Sequence, residues 1–87
     1  MTRDFLITVK IKLFAIYQEI YQQEEITLKI SEKSQVKDIL KIIIQEKPAL
    51  KKWENLTKLA VNLEFVSPDF EVKDGDEIAL IPPVSGG

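Results

Sequence analysis

From Phe5 to Phe14 the chain alternates between apolar and polar positions. Phe5, Ile7, Val9, Ile11 and Leu13 share one parity; Thr8, Lys10 and Lys12 share the other. Side chains of a strand point to opposite faces in turn, so this period of two predicts a strand with one buried face. Residues 25–30 repeat the pattern, with Ile26, Leu28 and Ile30 on one side. Between the two runs, Ile16 and Ile20, and Tyr17 and Tyr21, recur four apart. That spacing predicts a short helix or helical turn within 15–23.

The period then changes. Val36, Ile39, Leu40, Ile43 and Ile44 form one stripe at helical spacing, with Asp38, Lys41 and Gln45 facing away and Ile42 off the stripe. Ser34 is placed to cap the first turn. Pro48 ends the helix, because the residue before a proline disfavours the α region. Residues 49–57 read as a polar connection pinned by Leu50, Trp53 and Leu56.

The last third returns to extended structure. Leu59-Ala60-Val61-Asn62 predicts a short strand, and Asn62-Leu63-Glu64 a tight turn into Phe65-Val66. Pro68 interrupts, Phe70 and Val72 give a brief extended piece, and Asp74-Gly75 is a strong turn signal. Residues 77–81 are mostly apolar, which suits a central strand. Pro82 and Pro83 stop it, since neither can donate to a ladder. The order β, β, α, β, β with one substantial helix predicts an α+β roll, a small mixed sheet covered on one face by that helix. Its expected core is Ile7, Val9, Ile11, Leu13, Ile26, Leu28, Val36, Ile39, Leu40, Ile43, Val61, Ile78 and Leu80. One domain is expected over 1–81, followed by an extended tail over 82–87.

Composition narrows the function. The 87 residues suffice for one small domain, and 45% of them are hydrophobic, enough to build a core. There is no Cys and no His. That removes thiol nucleophiles, thiolate metal sites and the commonest general base. The net charge of −2 from mixed signs gives no electrostatic case for nucleic acid or an anionic membrane. No apolar run reaches membrane-spanning length and residues 1–14 do not read as a signal peptide, so a cytoplasmic protein is expected. Asp69, Glu71, Asp74, Asp76 and Glu77 lack the register of a calcium loop and read as a solvated turn. Glu24, Glu25, Lys51 and Lys52 read as surface, and Trp53 as a core plug or cover.

The ending Pro82-Pro83-Val84-Ser85-Gly86-Gly87 stands apart. Six extended residues reach about 20 Å. The prolines favour a stiff exit, and the glycines present backbone with no side chains. A frayed terminus is the plain alternative, but fraying does not require a stiff apolar stem followed by two glycines. A carboxylate at the end of such a tail suits activation by adenylation. The ionised acid is a poor electrophile, whereas its mixed anhydride with AMP can be attacked by sulfur or nitrogen.

The run Asp74-Gly75-Asp76-Glu77-Ile78-Ala79-Leu80-Ile81-Pro82-Pro83-Val84-Ser85-Gly86-Gly87 resembles the C-terminal signature of the molybdopterin synthase small subunits, the MoaD-like sulfur carriers. Ala60-Val61-Asn62, Phe65-Val66 and Leu13-Phe14-Ala15 with Glu19 resemble other segments of that family. Gln18 stands where the family usually has Arg, and Gln22 where Gly is common.

The resemblance implies a ubiquitin-like β-grasp fold and a sulfur-carrier role. Gly87 would be adenylated by an E1-like enzyme using MgATP and converted to a thiocarboxylate by a sulfur donor system. Gly86 would give access to a narrow site. Ile81, Pro82, Pro83, Val84 and Ser85, with Phe65, would dock on the large catalytic subunit of molybdopterin synthase. There the sulfur would pass to precursor Z to build the dithiolene. The chain would bind no cofactor or metal of its own and would have no activity alone. Three alternatives remain open at this point: a sulfur carrier for thiamine, tungsten-cofactor or tRNA thiolation; a ubiquitin-like protein modifier; and a passive β-grasp interaction module.

Overall fold

The computed structural model describes residues 5–83. Five strands form one mixed sheet in the order β2-β1-β5-β3-β4. Strand β1 (Leu6–Leu13) pairs antiparallel with β2 (Glu25–Ser31), from Leu6 opposite Ser31 to Lys12 opposite Glu25. Strand β5 (Glu77–Ile81) lies parallel to β1 and antiparallel to β3 (Lys58–Val61). It is therefore central, as its apolar sequence predicts. Strand β4 (Glu64–Phe65) is a two-residue edge paired to β3. Helix α2 (Val36–Glu46) covers one face, and the short helix α1 (Ile16–Tyr21) lies between β1 and β2 in the chain. This is the β-grasp arrangement, an α+β roll. Among the described residues no helix is long and apolar enough to cross a membrane.

The alternation in β1 works as the pattern requires. Val9, Ile11 and Leu13 are buried, whereas Leu6, Thr8 and Lys10 are exposed and Lys12 is half-exposed. The α2 stripe of Val36, Ile39, Leu40, Ile43 and Ile44 closes over them with Leu59, Val61, Ile78 and Leu80. The expected core needs adjustment at its margins. Ile7, Ile26 and Leu28 are only partly buried. β2 is an edge strand, and a single helix does not reach fully across it. Tyr17, Ile30, Ile44, Leu50, Leu59 and Val72 complete the core instead.

Three local expectations are corrected. The cap of α2 is Gln35, not Ser34. The Gln35 backbone N–H donates to Asp38 Oδ2 at 2.9 Å, and the Asp38 N–H donates to the Gln35 carbonyl at 2.9 Å in return. This reciprocal pair satisfies two of the helix's free amides. It also turns Asp38 back onto the helix start rather than out to solvent. Ser34 Oγ donates to the Ser31 carbonyl at 2.6 Å, so it shapes the preceding turn. Residues Pro48–Leu56 are not an open connection but a 3₁₀ segment. Leu50 is buried and Trp53 packs against the core, but Leu56 is exposed and pins nothing.

Tyr17 links the layers. Its hydroxyl meets Thr57 Oγ1 at 2.6 Å, and Thr57 Oγ1 donates to the Trp53 carbonyl at 2.8 Å. Burial raises the Tyr17 pKa above its usual value, the Thr57 bond opposes the rise, and Glu54 adds to it. Burial also raises Tyr21, reinforced by its hydrogen bond to Glu46 Oε1 at 2.7 Å.

The acidic run before β5 is structural. Asp74 Oδ1 accepts the Thr8 backbone N–H at 2.8 Å, and the Gly75 N–H donates to the Thr8 carbonyl at 2.8 Å. Gly75 has φ +86, where a side chain would be strained. Asp76 accepts from the Lys73 N–H at 2.8 Å and from Asn62 Nδ2 at 3.0 Å. Asp69 pairs with Lys37 at 2.9 Å, which raises the lysine pKa, and Glu71 pairs with Lys73 at 3.3 Å. These bonds fix where β5 starts, and therefore where it ends.

The β3–β4 hairpin turns on Asn62 (φ 50) and Leu63 (φ 72), two positive values that define a type I′ turn. Asn62 suits such a turn. A leucine there costs about 1–2 kcal/mol.

Candidate functional site

The sheet face opposite α2 carries the surface of interest. Because directly opposed residues share a face, the register alone defines it. One row crosses the sheet as Lys12, Ala79, Ala60 and Phe65; a second pairs Ile81 with Lys58. Ala60 and Ala79 are small, so the row is shallow between its ends. Phe65 is 70% exposed on the edge strand, with Lys58 Nζ 5.9 Å from its ring centroid. A groove of about 330 Å³ runs beside it, lined by Thr57, Lys58, Leu59, Phe65, Val66 and Pro68.

Ile81 is half-buried, and its parity places it on this outer face, not in the core. The chain leaves the sheet one residue later. Pro82 is buried and Pro83 is exposed. Pro82 thus departs from its expected place in a docking surface: it sits in the domain, and of the two prolines only Pro83 is accessible. Val84, Ser85, Gly86 and Gly87 lie outside the described residues.

Phe14, which sequence reasoning passed over as part of the site, belongs with Ile81. It lies one residue beyond the Leu13–Leu80 pair, level with Ile81 in the parallel register, and is 44% exposed. The signal was present, since Phe14 has the parity of Lys10 and Lys12. An aromatic at the end of a strand reads equally well as core until the register is known.

Charge frames the apolar centre. Lys10 and Lys12 lie 4.0 and 3.5 Å from Glu25, while Lys29 and Lys58 add two further cations on the same parity. A second hollow, polar and about 730 Å³, is lined by Ala15, Gln18, Glu19, Gln22, Gln23 and Glu24. Ala15 and Gln22 bound α1 at φ 51 and 56. Among the described residues no cluster of acids, His or Cys could hold a metal ion. The described side chains offer an apolar face beside a chain exit.

Comparison with known proteins agrees with this geometry. The profile of the ThiS family matches residues 11–87. The molybdopterin synthase sulfur carrier subunit of Chlamydomonas reinhardtii is 37% identical over 81 residues, covering 91% of this chain and 98% of its own. A putative molybdopterin converting factor subunit 1 from Pyrococcus furiosus superposes with a TM-score of 0.78 at 29% identity, over 90% of this chain and 99% of its own. The structure of subunits 1 and 2 of the molybdopterin-converting factor from Helicobacter pylori, a protein–protein complex, contains a chain with TM-score 0.64 at 32% identity, over 93% of this chain and all of that one. The match over nearly its whole length shows that the chain belongs to the ThiS family.

Proposed function

We propose that this chain is the sulfur carrier subunit of a molybdopterin synthase, acting in molybdenum-cofactor biosynthesis in the cytoplasm. The observation that carries the reading is its end-to-end similarity to sulfur carrier subunits of that enzyme. The fold supplies a physical reason for such a role. A central strand, held on both sides, runs straight into Pro82-Pro83-Val84-Ser85-Gly86-Gly87. The tail is therefore anchored at the most constrained position in the sheet.

The chemistry proceeds at the terminus. The Gly87 carboxylate attacks the α-phosphorus of MgATP on an E1-like enzyme, releasing pyrophosphate and forming an acyl-adenylate. Sulfur from a donor system attacks the carbonyl and AMP leaves. The resulting thiocarboxylate is ionised and nucleophilic. Docked on the large subunit, it delivers sulfur to precursor Z, and proton transfers fall to that subunit's side chains. Gly86 and Gly87 admit the carbonyl to a narrow site. The outer face, with Ile81 and Phe65 joined by Phe14, and the stem of Pro83, Val84 and Ser85 make the docking contact.

The test is reconstituted sulfur transfer with the activating enzyme, MgATP, sulfide and the large subunit. Deleting Gly87 should abolish delivery while leaving thermal stability nearly unchanged. Sulfur delivery by the deletion variant refutes the reading. Intact mass of the protein from its own cell should show the sulfur-for-oxygen increment. Conjugates on other proteins in its place would mark a protein modifier, and neither signal a passive module.

A further inference from the structure

Leu63 is 93% exposed, the most exposed of the large apolar residues described, and it occupies a left-handed backbone position. Each of these is unfavourable for the isolated chain, and at this degree of exposure its side chain makes no compensating contact. The second position of a type I′ turn ordinarily belongs to glycine. The turn is also held rigidly. The Asn62 N–H donates to the Glu77 carbonyl at 2.8 Å, the Glu77 N–H donates to Asn62 Oδ1 at 3.1 Å, and Asn62 Nδ2 donates to Asp76 at 3.0 Å. Three bonds to the start of β5 thus fix an apolar side chain in solvent. Unfavourable local structure maintained by its surroundings is the mark of a site that works in contact with something else.

We infer that Leu63 is a preformed apolar anchor for the large subunit, extending the docking face to the end of the hairpin opposite the tail exit. This inference rests on the docking reading above. Leu63 is two residues from Phe65 on the same hairpin, about 7 Å further along at strand rise. A stable interface needs about 800 Å² from each partner. The three side chains Phe14, Ile81 and Phe65 do not supply that area by themselves, and the stem and the hairpin add to them. The hairpin tip follows Phe65 on the same edge hairpin, with the polar Lys10–Glu77 pair beside it on the sheet. Because the tip is already rigid, its docking costs little ordering entropy.

The experiment is calorimetric titration of the full chain into the large subunit, with melting curves of each free variant. Leu63→Gly relieves the backbone and removes the exposed side chain. It should raise the melting temperature and yet weaken binding at least tenfold, or about 1.4 kcal/mol. Leu63→Met keeps an apolar side chain and should bind within about twofold of the original. Phe65→Ala serves as the control for the docking face itself. If Phe65→Ala weakens binding and Leu63→Gly does not, the anchor role is wrong and the docking face stands. If neither variant weakens binding, the docking face falls with it. A lower melting temperature for Leu63→Gly would show that the leucine serves the fold, which also overturns the inference. So would sedimentation showing that the free chain self-associates through Leu63 while Leu63→Gly binds the large subunit normally.

Discussion

The two faces of the sheet should respond oppositely to mutation, and Ile39→Ala sets the scale. Ile39 is fully buried on the inner face of α2, in the core shared with the sheet. The substitution removes three carbons, and at ~0.8 kcal/mol for each the lost transfer energy is about 2.4 kcal/mol. A closely packed site relaxes only partly, and the resulting cavity brings measured costs of this kind to about 2–5 kcal/mol. Alanine favours helix over isoleucine by a few tenths of a kcal/mol, roughly 0.4, which offsets little. The net expectation is a loss of about 2–4 kcal/mol. At roughly 4–8 °C per kcal/mol for a domain of this size, the melting point should fall by at least about 8 °C. Urea unfolding read by the fluorescence of Trp53, which packs against the core, measures this directly. Ile81→Asp, on the outer face, should melt within a few degrees of the parent and weaken binding to the large subunit. A loss below about 1 kcal/mol for Ile39→Ala, or equal destabilisation by Ile81→Asp, would refute the assignment of faces.

Gly75→Ala should cost about 1–2 kcal/mol in a melting experiment; a Cβ there meets no atom within 4 Å, so the penalty is that of φ +86 alone. Gly86→Val should slow thiolation by steric obstruction without changing the melting temperature, as single-turnover assays with the activating enzyme would report. The two tyrosines of the chain both have pKa values raised above 10.0 by burial, Tyr17 against Thr57 and Tyr21 beside Glu46. The folded state therefore holds their protons more tightly than the unfolded chain. Their contribution to stability is complete below pH 10 and is lost as pH rises through the folded values. Tyrosinate absorbance should lag behind that of the urea-unfolded chain in an alkaline titration, and coincident curves would contradict the burial.

The strands, the main helix and the central place of β5 were legible because each rests on a local period or a local stop signal. Val9-Lys10-Ile11-Lys12-Leu13 states its two faces outright, and Pro82-Pro83 states the end of β5. What escaped depends on partners distant in sequence. Tyr17 reads as one of two tyrosines on a short amphipathic turn, yet only Tyr17 is fully buried, because Thr57 lies forty positions away to meet its hydroxyl. Ser34 is the residue that the sequence offers as the cap of α2. The choice fell to Gln35 once the Ser34 carbonyl accepted the Val72 N–H and its hydroxyl turned to Ser31. Leu50 entered the core, and Leu56 did not, because a 3₁₀ segment with three residues per turn replaced the expected open connection.

The site shows the same division more sharply. The proposed reactive end is readable from residue types alone, since a diglycine after two prolines needs no tertiary structure to suggest its chemistry. The proposed docking face is not, because its members come from three separate parts of the chain and share nothing in sequence. Phe14 follows β1, Phe65 lies on β4 and Ile81 closes β5; only the parallel register of β1 with β5 and the antiparallel register of β3 with its neighbours bring them to one side. That register is in turn fixed by the Asp74 and Gly75 bonds to Thr8 and the Asn62 bonds to Asp76 and Glu77. A one-residue slip of β5 would turn Ile81 to the helix side and Leu80 to solvent. The acidic run before β5, which lacks the register of a metal loop, therefore bears on function after all: it determines which face of the molecule the tail leaves beside.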